Sequence, residues 1–442
     1  MKINKKAALH NLGCKVNAYE TEAMQQILEN AGYEIVPFTE YADVYVVNTC
    51  SVTNMADRKS RQMLHKAKKM NPDAIVVGAG CYVQTKEAEA LLDDTVDIVI
   101  GNNKKHELLS MLEAYENDHG KCGNVIDINH EKQEYEEMFL ERTAEHTRAF
   151  IKVQDGCNQF CSYCIIPFAR GRVRSRNSED VIREVKRLAE HGFREIVLTG
   201  IHLSSYGVDT GDDLLHLIRE VHNVDGIDRI RLGSLEPRIV TDGFAAALAG
   251  LPKICPHFHL SLQSGCDATL QRMNRRYDTR EYEEGCQILR KYFDHPAITT
   301  DVIVGFPGET EEDFEQLKEF VEKMQFDRLG VFTYSREEDT PAAEMVEQIE
   351  EEIKASRRDE IMQIQQDIAF DKSNSRVGEI YEVMIEGKLP EEGVYIARTY
   401  MDAPDVDGYV FIQSDYNFDS GDFVKVEITR SDEYDLIGEI ID

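Results

Sequence analysis

The sequence has no long apolar run and little positive charge for its acidic content. No hydrophobic stretch reaches the length that crosses a bilayer, and the opening Met-Lys-Ile-Asn-Lys-Lys lacks a signal-peptide core. Lysine and arginine number 50 against 82 aspartate and glutamate, which gives a formal net charge of −32. Because nucleic-acid binding depends on cations that contact phosphate, this total argues against a general RNA-coating protein. We expect a cytoplasmic protein without a membrane partner, in which any RNA-binding charge is local.

The chain has 442 residues, enough for two or three domains with sizeable cores. Its ten cysteines are clustered and follow no secretory signal, a pattern that favours metal binding over disulfides. Six of them fall into two groups of three, described next. The spacing of the other four indicates no third site, and we expect them to be structural: Cys122, Cys255, Cys266 and Cys286.

Cys157, Cys161 and Cys164 form a CxxxCxxC run directly after an apolar strand. Three thiolates are one short of a full set for a four-iron cluster, so one iron would be left for a ligand that is not protein. The alternative is zinc, whose structural sites close all four positions of a tetrahedron. No cysteine or histidine follows until His191, so a local zinc site lacks its fourth ligand. The residues alone leave both metals open.

The first 125 residues repeat a strand–loop–helix pattern typical of an α/β domain with a parallel sheet. Strands are predicted over residues 7–12, 44–47, 74–77 and 96–100, and Asn17 with Glu20 predicts the start of the first helix. Cys14, Cys50 and Cys81 each follow one of the first three strands. Because ligands of open α/β sheets bind beyond the carboxyl ends of the strands, we expect these thiols to converge as a second metal site. The alternative is that they are ordinary core cysteines.

Residues 126–147 are acidic and predict a linker, after which residues 148–340 resume the alternation of strands and helices. Six strands are predicted over residues 150–153, 195–198, 229–232, 257–262, 299–304 and 329–333. Six such units fit an incomplete TIM-type barrel, a partial (βα)6 barrel whose active site lies at the carboxyl ends of its strands. Polar or glycine residues that follow these strands are candidates for the mouth of the barrel: Gly200, His202, Ser234, Glu236, Gln263, Ser264, Gly305, Pro307, Tyr334 and Ser335.

Two further segments complete the chain. Residues 341–375 are highly charged and predict a solvated connecting helix. Residues 376–442 contain five short β-prone runs, at 381–385, 394–397, 408–412, 423–428 and 435–440, which predict a small OB-like β-barrel.

Two stretches that follow cluster cysteines are basic, in contrast to the rest of the chain. The predicted helix 54–70 and the run 168–176 are strongly cationic, and we expect both to contact RNA phosphate rather than to be ordinary solvated surface. The RNA-binding candidates are Arg58, Lys59, Arg61, Lys66, Arg170, Arg172, Arg174 and Arg176.

The chain resembles the methylthiotransferases of the radical S-adenosylmethionine superfamily. The resemblance rests on Asn11–Asn17 (Asn-Leu-Gly-Cys-Lys-Val-Asn), Asn48-Thr49-Cys50, Gly80-Cys81, the loop from Gly156 to Pro167, Arg170-Gly171 and Ser175-Arg176. It covers the whole chain in the order methylthiotransferase domain, radical domain and TRAM domain. It implies an α/β fold with two 4Fe-4S clusters and S-adenosylmethionine, and an electron donor such as flavodoxin or ferredoxin.

The resemblance also implies roles for the two triads. The cluster on Cys157, Cys161 and Cys164 would bind S-adenosylmethionine and cleave it reductively to a 5′-deoxyadenosyl radical. The cluster on Cys14, Cys50 and Cys81 would carry the inserted sulfur. Tyr163 is expected to stack on the adenine of the cofactor, and further cofactor contacts are expected at Gly200, Ser234, Glu236, Gln263 and Gly305.

Family members modify either an adenosine beside the tRNA anticodon or an aspartate of ribosomal protein uS12. The run from Leu12 to Glu20 and the run from Lys152 to Cys157 resemble the branch that acts on threonylcarbamoyladenosine in tRNA. The last domain, with a net charge of −12 (5 basic minus 17 acidic residues over 376–442), and its run from Arg398 to Gly408 resemble the uS12 branch. Because the front motifs surround the reacting centre, we predict tRNA as the substrate, with uS12 as the alternative. A zinc-dependent RNA-binding module without radical chemistry is the third hypothesis.

Overall fold

The computed structural model describes residues 5–141, 147–389, 393–403 and 407–441. It contains a parallel α/β domain, a partial barrel and a small closed barrel, so the predicted fold class is confirmed. Residues 142–146 of the predicted linker and residues 404–406 of the run in the last domain lie outside the described residues. No helix within the described ranges is both long enough and apolar enough to span a membrane.

The amino-terminal domain is a six-stranded, all-parallel sheet in the order β2-β1-β3-β4-β5-β6. Its elements are β1 Lys6–Asn11, α1 Lys15–Asn30, β2 Glu34–Ile35, β3 Val44–Thr49, α2 Asn54–Met70, β4 Ile75–Gly80, α3 Cys81–Thr85, α4 Glu87–Leu92, β5 Ile98–Ile100, a 3₁₀ turn Lys105–Glu107, α5 Leu108–Asp118 and β6 Cys122–Asn124. The four predicted strands are present. Strands β2 and β6 were not predicted, because two or three residues show no periodicity.

Both faces of this sheet are covered by helices, which is why β3 is buried at every position. Tyr19 and Leu28 of α1 pack on one face together with Leu112 of α5. Leu64 of α2 and Val83 of α3 pack on the other face. The carboxyl ends of β1, β3 and β4 therefore lie side by side along one rim, directly before Cys14, Cys50 and Cys81.

The second domain contains six βα units. Its elements are β7 Arg148–Asp155, α6 Ile166–Ala169, β8 Arg174–Ser175, α7 Ser178–Glu190, β9 Glu195–Gly200, a 3₁₀ turn Leu203–Ser205, α8 Leu214–His222, β10 Arg229–Leu232, a 3₁₀ turn Pro237–Ile239, α9 Asp242–Ala249, β11 His257–His259, α10 Asp267–Arg272, α11 Thr279–Tyr292, β12 Ala297–Val304, α12 Glu311–Met324, β13 Arg328–Thr333, a 3₁₀ turn Pro341–Glu344 and α13 Glu351–Ser375.

Strands β7, β9 and β10 pair in parallel, as do β11, β12 and β13. Single parallel bridges, Ile230 to Ile254 and Leu235 to Leu260, join the two groups. The short antiparallel strand β8 pairs with β7. The order is that of the predicted partial barrel, with the predicted fourth strand shortened to three residues.

Helix α13 is the outer helix of the sixth unit, and the expectation of a solvated connecting helix is wrong. Residues three or four apart along it, among them Lys354, Ile361, Ile368 and Ala369, are buried. This face packs on β13 and α12. Little in the sequence indicated this face, because four of its seven buried residues are polar or charged: Lys354, Arg357, Gln365 and Ser373.

The last domain is a closed five-stranded barrel in the order β14-β15-β16-β18-β17, as predicted. Its strands are β14 Ile380–Leu389, β15 Val394–Arg398, β16 Val410–Gln413, β17 Phe423–Asp432 and β18 Asp435–Ile440. It packs under the amino ends of the larger barrel's strands, away from the cysteines. There Arg398 Nη1 lies 2.6 Å from Glu195 Oε2, and the Arg229 guanidinium lies 4.8 Å from the Phe423 ring centre.

Candidate active site at two cysteine triads

The loop with Cys157, Cys161 and Cys164 leaves the carboxyl end of β7, at the mouth of the barrel. Gly156 begins it with φ +71°, and a Cβ there would stand 1.9 Å from the carbonyl oxygen of Arg172, so only glycine fits this turn. The amide of Cys157 donates to the Gly171 carbonyl at 3.0 Å, and that of Cys164 donates to the Cys161 carbonyl at 3.0 Å. The loop thereby folds back on itself, with all three cysteines on one short turn.

The surroundings of these thiols combine burial with one nearby cation. Cys157 and Cys161 are buried and Cys164 is half-buried. Burial, followed by the nearby Cys161 thiol, raises the pKa of Cys164 to about 12. Arg275 donates from Nη1 to Cys161 Sγ at 3.1 Å. Arg275 thus places a positive charge beside a sulfur that would bind iron as a thiolate. Sequence reasoning missed Arg275, which follows α10 and belongs to no recognisable motif.

Tyr163 lies at the edge of this loop. Its ring is half-buried and meets the Phe306 ring edge-on, with 6.4 Å between the ring centres. Together with Met273, Tyr334 and Ala342 it lines a small apolar cluster beside the cysteines. The partly accessible ring stays a candidate for cofactor stacking.

The other predicted mouth residues have distinct surroundings. A Cβ at Gly200 would stand 2.8 Å from Gln154 Oε1, and a Cβ at Gly305 would stand 2.2 Å from Lys354 Cγ on α13. Close packing by itself therefore explains why glycine stands at both positions. Ser234 is exposed, and Glu236 is buried and accepts from Arg238 Nε at 2.6 Å. Gln263 adopts φ +70°. Their contact with a cofactor stays a prediction.

The second triad lies on the rim of the amino-terminal sheet. Cys14 is accessible, whereas Cys50 and Cys81 are buried. A Cβ on Gly13 would stand 2.9 Å from Cys50 Sγ, so Gly13 permits the close approach of these two loops. Burial, followed by the Cys81 thiol, raises the pKa of Cys50 to about 11. Asn102 Nδ2 donates to Cys81 Sγ at 3.5 Å and also to the Ala169 carbonyl at 2.8 Å. The three thiols therefore lie near one another, against the barrel domain.

A buried charge network joins the two triads. Glu20 on α1 accepts from Arg170, which follows the barrel's cysteine loop, through Nη1 at 2.9 Å and Nη2 at 3.0 Å. Lys152 Nζ and Lys105 Nζ lie 2.7 and 2.9 Å from the same carboxylate. Burial opposes ionisation of Glu20, but Arg170 and the two lysines outweigh it and hold the pKa of Glu20 well below its ordinary value. The network is a buried set of opposite charges between the domains.

Asn17 and Glu20 belong to this network and are not the helix cap that the sequence predicted. Helix α1 begins at Lys15, with Cys14 as the capping residue. Asn17 Nδ2 donates to the Leu12 and Thr49 carbonyls at 2.7 and 3.0 Å, and Asn17 Oδ1 accepts from Arg170 Nη2 at 2.5 Å. Asn17 thus orders the loops of Cys14 and Cys50 and contacts the barrel at the same time.

Three of the predicted RNA-binding arginines are buried, and for them that prediction is wrong. Arg170 and Arg176 are fully buried and Arg174 is 4% exposed. Arg170 pairs with Glu20, Arg176 pairs with Glu184, and Arg174 lies 3.4 Å from Asp155. Their guanidinium groups are bound to protein carboxylates and are not available to phosphate. Arg172 is exposed, with its guanidinium 4.6 Å from the Phe160 ring centre.

The cations of α2 are mostly accessible. Arg58, Lys59 and Lys66 are exposed, and Arg61 is half-buried over the Tyr82 ring. The helix begins at the mouth of the barrel, because Asn54 Nδ2 donates to the Arg336 carbonyl at 2.9 Å in the segment that follows β13. Exposed cations of α2 therefore lie near the mouth, in the neighbourhood of the accessible carboxylates of Glu338 and Asp339.

The four remaining cysteines are structural, as predicted. Cys286 is in the barrel core and Cys122 packs against the core of the amino-terminal domain. Cys255 donates to the Tyr400 carbonyl at 3.1 Å, and Cys266 donates to Asp313 Oδ1 at 3.3 Å.

Among the described residues, no three cysteine, histidine or carboxylate side chains are arranged around one common ion position. Each thiolate of an iron–sulfur cluster binds a different iron atom, so a cluster does not require its three ligands to share one point. The donor sets of both triads, three cysteines each and no histidine, fit iron–sulfur clusters.

Family models divide the chain as its structure does. Residues 151–321 match the radical SAM superfamily, residues 6–101 match a family described as uncharacterised, UPF0004, and residues 377–441 match the TRAM domain. The barrel with its cysteine loop thus defines a radical S-adenosylmethionine enzyme.

Curated relatives extend this match over the full length. The chain is 38% identical to the threonylcarbamoyladenosine tRNA methylthiotransferase MtaB of Bacillus subtilis, over 96% of this chain and 98% of the relative. It is also 38% identical to the ribosomal protein uS12 methylthiotransferase RimO of Lachnoclostridium phytofermentans, over 97% and 98%. The chain belongs to the radical S-adenosylmethionine methylthiotransferase family. Its cofactors are S-adenosylmethionine and iron–sulfur clusters, so the zinc module without radical chemistry is wrong.

Among solved structures, the radical S-adenosylmethionine methyltransferase TsrM of Kitasatospora setae shares the fold. The TM-score is 0.57 at 14% identity, covering 89% of this chain and 77% of that chain.

Proposed function

We propose that this enzyme inserts a methylthio group at C2 of N6-threonylcarbamoyladenosine beside the tRNA anticodon. The end-to-end similarity to the Bacillus subtilis tRNA enzyme supports the reaction, and the cationic face of α2 is the observation that favours tRNA as its substrate. The exposed cations of α2 beside the barrel mouth agree with it, because RNA binding needs phosphate contacts near the reacting centre.

In this proposal Cys157, Cys161 and Cys164 hold the cluster that binds S-adenosylmethionine, and Cys14, Cys50 and Cys81 hold the sulfur-carrying cluster. When bound, the first cluster supplies the electron that cleaves the cofactor. The protein's part is to hold the cysteines of each site in place. Arg275 places a cation against Cys161, and burial excludes water from Cys157 and Cys50.

The Glu20–Arg170 pair would set the relation between the two sites. Arg170 closes the loop of the first triad, and Glu20 lies on the helix that begins at the second. Because both side chains are fully buried and the pair is bidentate, it fixes position as well as charge. A one-electron donor such as flavodoxin or ferredoxin stays a prediction.

The acidic carboxy-terminal barrel favours a second candidate, methylthiolation of an aspartate of ribosomal protein uS12. Its net charge of −12 (5 minus 17) suits a basic protein better than an RNA backbone. Relatives of both functions match the chain at the same identity.

A gene deletion tests the proposal. Nucleosides from bulk tRNA of the deletion strain are analysed by mass spectrometry, and we expect the 2-methylthio derivative to disappear while threonylcarbamoyladenosine accumulates. Re-expression of the wild type should restore it, whereas the Cys161→Ala variant should not. An unchanged nucleoside profile, together with loss of the methylthio mass from uS12, would assign the enzyme to the ribosomal protein.

A further inference from the structure

The interior of the partial barrel is polar and charged. Along β10 and β11, Ile230, Leu232 and Phe258 pack into the core under the outer helices. Because side chains alternate along a strand, Arg231, His257 and His259 point the other way, into the barrel. By the same alternation Asp301 of β12 faces inward, and 41% of its side chain is accessible. The interior is therefore open to solvent near its mouth.

The carboxylates that line or close this interior already have partners. Glu195 binds Arg398 and Arg231. Asp301 Oδ2 lies 3.5 Å from His259 Nε2. At the base, Asp402 accepts from the Thr399 hydroxyl at 2.7 Å, and Asp407 lies 3.8 Å from Arg328.

Two side chains in the same space, Arg231 and His257, carry nitrogen atoms without a hydrogen-bond partner among the described residues. Arg231 is 2% exposed, and neither of its Nη atoms has a hydrogen-bond partner within the described part of the chain. His257 is 5% exposed, and neither of its ring nitrogens has a hydrogen-bond partner among the described residues. Unpaired buried donors are costly, so their persistence indicates a ligand or ordered solvent that accepts from them.

Lys15 supplies a second cation, from the start of α1, which packs against β7 and β9 of the barrel. It follows Cys14 in the chain and interacts electrostatically with Arg148 and Arg231, and with the carboxylates of Asp407 and Asp301. Lys15 is accessible, and no carboxylate of the described ranges lies within 4.0 Å of its Nζ. In contrast, Lys105 and Lys152 of the adjacent network are both paired with Glu20.

We propose that the barrel interior holds a binding subsite for a carboxylate of the substrate, with the Lys15 ammonium as its anchor and the Arg231 Nη groups beneath it. This subsite rests on the proposed function. It also specifies the substrate further, because a threonylcarbamoyl group ends in a free carboxylate, whereas an unmodified adenosine has none. Because Lys15 follows Cys14 in the chain, a carboxylate anchored on Lys15 would hold the adenine base near the second triad.

The test compares two anticodon stem-loop RNAs of one sequence, one with the threonylcarbamoyl group and one with its carboxamide analogue, in which only the charge is lost. Affinity for the reconstituted holoenzyme is measured by fluorescence anisotropy. We expect the wild type to bind the carboxylate RNA about ten- to a hundredfold more tightly, the range for a charge-assisted hydrogen bond. Lys15→Met should bring the ratio close to one, and Lys15→Arg should keep most of it.

Lys186→Met on the outer helix α7 is the matched control and should keep the wild-type ratio. Because both RNAs are measured on the same preparation, a lower folded fraction does not change the ratio. If Lys15→Met does not fold, Lys15→Gln replaces it and should likewise bring the ratio of the two affinities close to one. Equal binding of both RNAs by the wild type, or a wild-type ratio in Lys15→Met and Lys15→Gln, overturns the subsite. A wild type that methylthiolates neither RNA overturns the proposed function instead, so the two failures are distinct.

Discussion

Arg170 and Glu20 form a bidentate ion pair across the domain boundary, with Nη1 2.9 Å from Oε1 and Nη2 3.0 Å from Oε2. The arginine comes from the loop that carries the barrel's triad, and the glutamate comes from the helix that begins at Cys14. The pair thus ties the loop of one cluster to the helix of the other. Both side chains are fully buried, so neither has water as a substitute partner.

Removal of Arg170 should be strongly destabilising. Arg170→Met removes the charged hydrogen bonds to Glu20, which keeps Lys105 and Lys152 as partners, and we expect a loss of about 2–3 kcal/mol in the free energy of unfolding. Urea unfolding followed by circular dichroism measures it. Arg172→Met is the control, because Arg172 is exposed, and it should change stability by less than about 0.5 kcal/mol. A loss no larger in Arg170→Met than in Arg172→Met would contradict a structural role for the pair.

The two triads should separate functionally. Cys161→Ala should abolish cleavage of S-adenosylmethionine, whereas Cys50→Ala should spare cleavage and stop sulfur insertion. Each variant should retain about half of the iron, because each removes a ligand of one cluster. Deoxyadenosine and product are quantified by chromatography after anaerobic reconstitution. Cys122→Ala, outside both triads, should behave as the wild type. Equal deoxyadenosine from the wild type and Cys161→Ala would contradict this division.

Charge reversal on α2 should weaken RNA binding at the mouth. We expect Arg58→Glu with Lys59→Glu to lower tRNA affinity and to reduce the slope of log K against log salt by about one per lost phosphate contact. The measurement is anisotropy titration at several salt concentrations. Lys186→Glu with Arg187→Glu on α7 is a control of equal charge change. The same salt slope in the α2 variant and the wild type would remove α2 from the interface.

A lower pH should weaken the ion pairs of Glu195 that hold the small carboxy-terminal barrel against the larger barrel. Burial would raise the pKa of Glu195, but Arg398, Arg231 and Arg229 outweigh it and lower this pKa to about 2. A carboxylate with a depressed folded-state pKa stabilises the fold above its unfolded pKa, and this contribution is lost as the pH falls from about 4.5 towards 2. The shift corresponds to about 3 kcal/mol.

Glu195→Gln should therefore be less stable than the wild type at neutral pH, and the difference should shrink on acidification. Unfolding midpoints measured between pH 7 and pH 3 give the curve. Glu190→Gln, an exposed change at the end of α7, should follow the wild-type curve. If the Glu195→Gln curve runs parallel to that of the wild type, ionisation of Glu195 does not account for the pH dependence of stability.

Short-range patterns in the sequence predicted the sheet, the six barrel units, the small barrel and the positions of both triads after strand ends. They failed where a partner lies far along the chain. Arg170 and Glu20 are 150 residues apart, and Arg170 and Asn17 are 153 apart. Judged only from the residues next to them in the chain, Glu20 and Asn17 indicate the start of a helix, and Arg170 indicates a phosphate contact. The same holds for α13, whose buried face exists only because β13 and α12 lie against it.

The sequence by itself determined the ligands available for the clusters, since cysteine spacing and strand order are local properties. Only the tertiary structure decided which cations are free. It paired Arg170, Arg174 and Arg176 with buried carboxylates and left α2 exposed beside the mouth. It also placed Lys15 and Arg231 in the barrel interior, where some of their N–H groups have no carboxylate partner. The reason is physical: the value of a charge depends on its neighbours in space and on its burial, and neither is set by its neighbours in the chain.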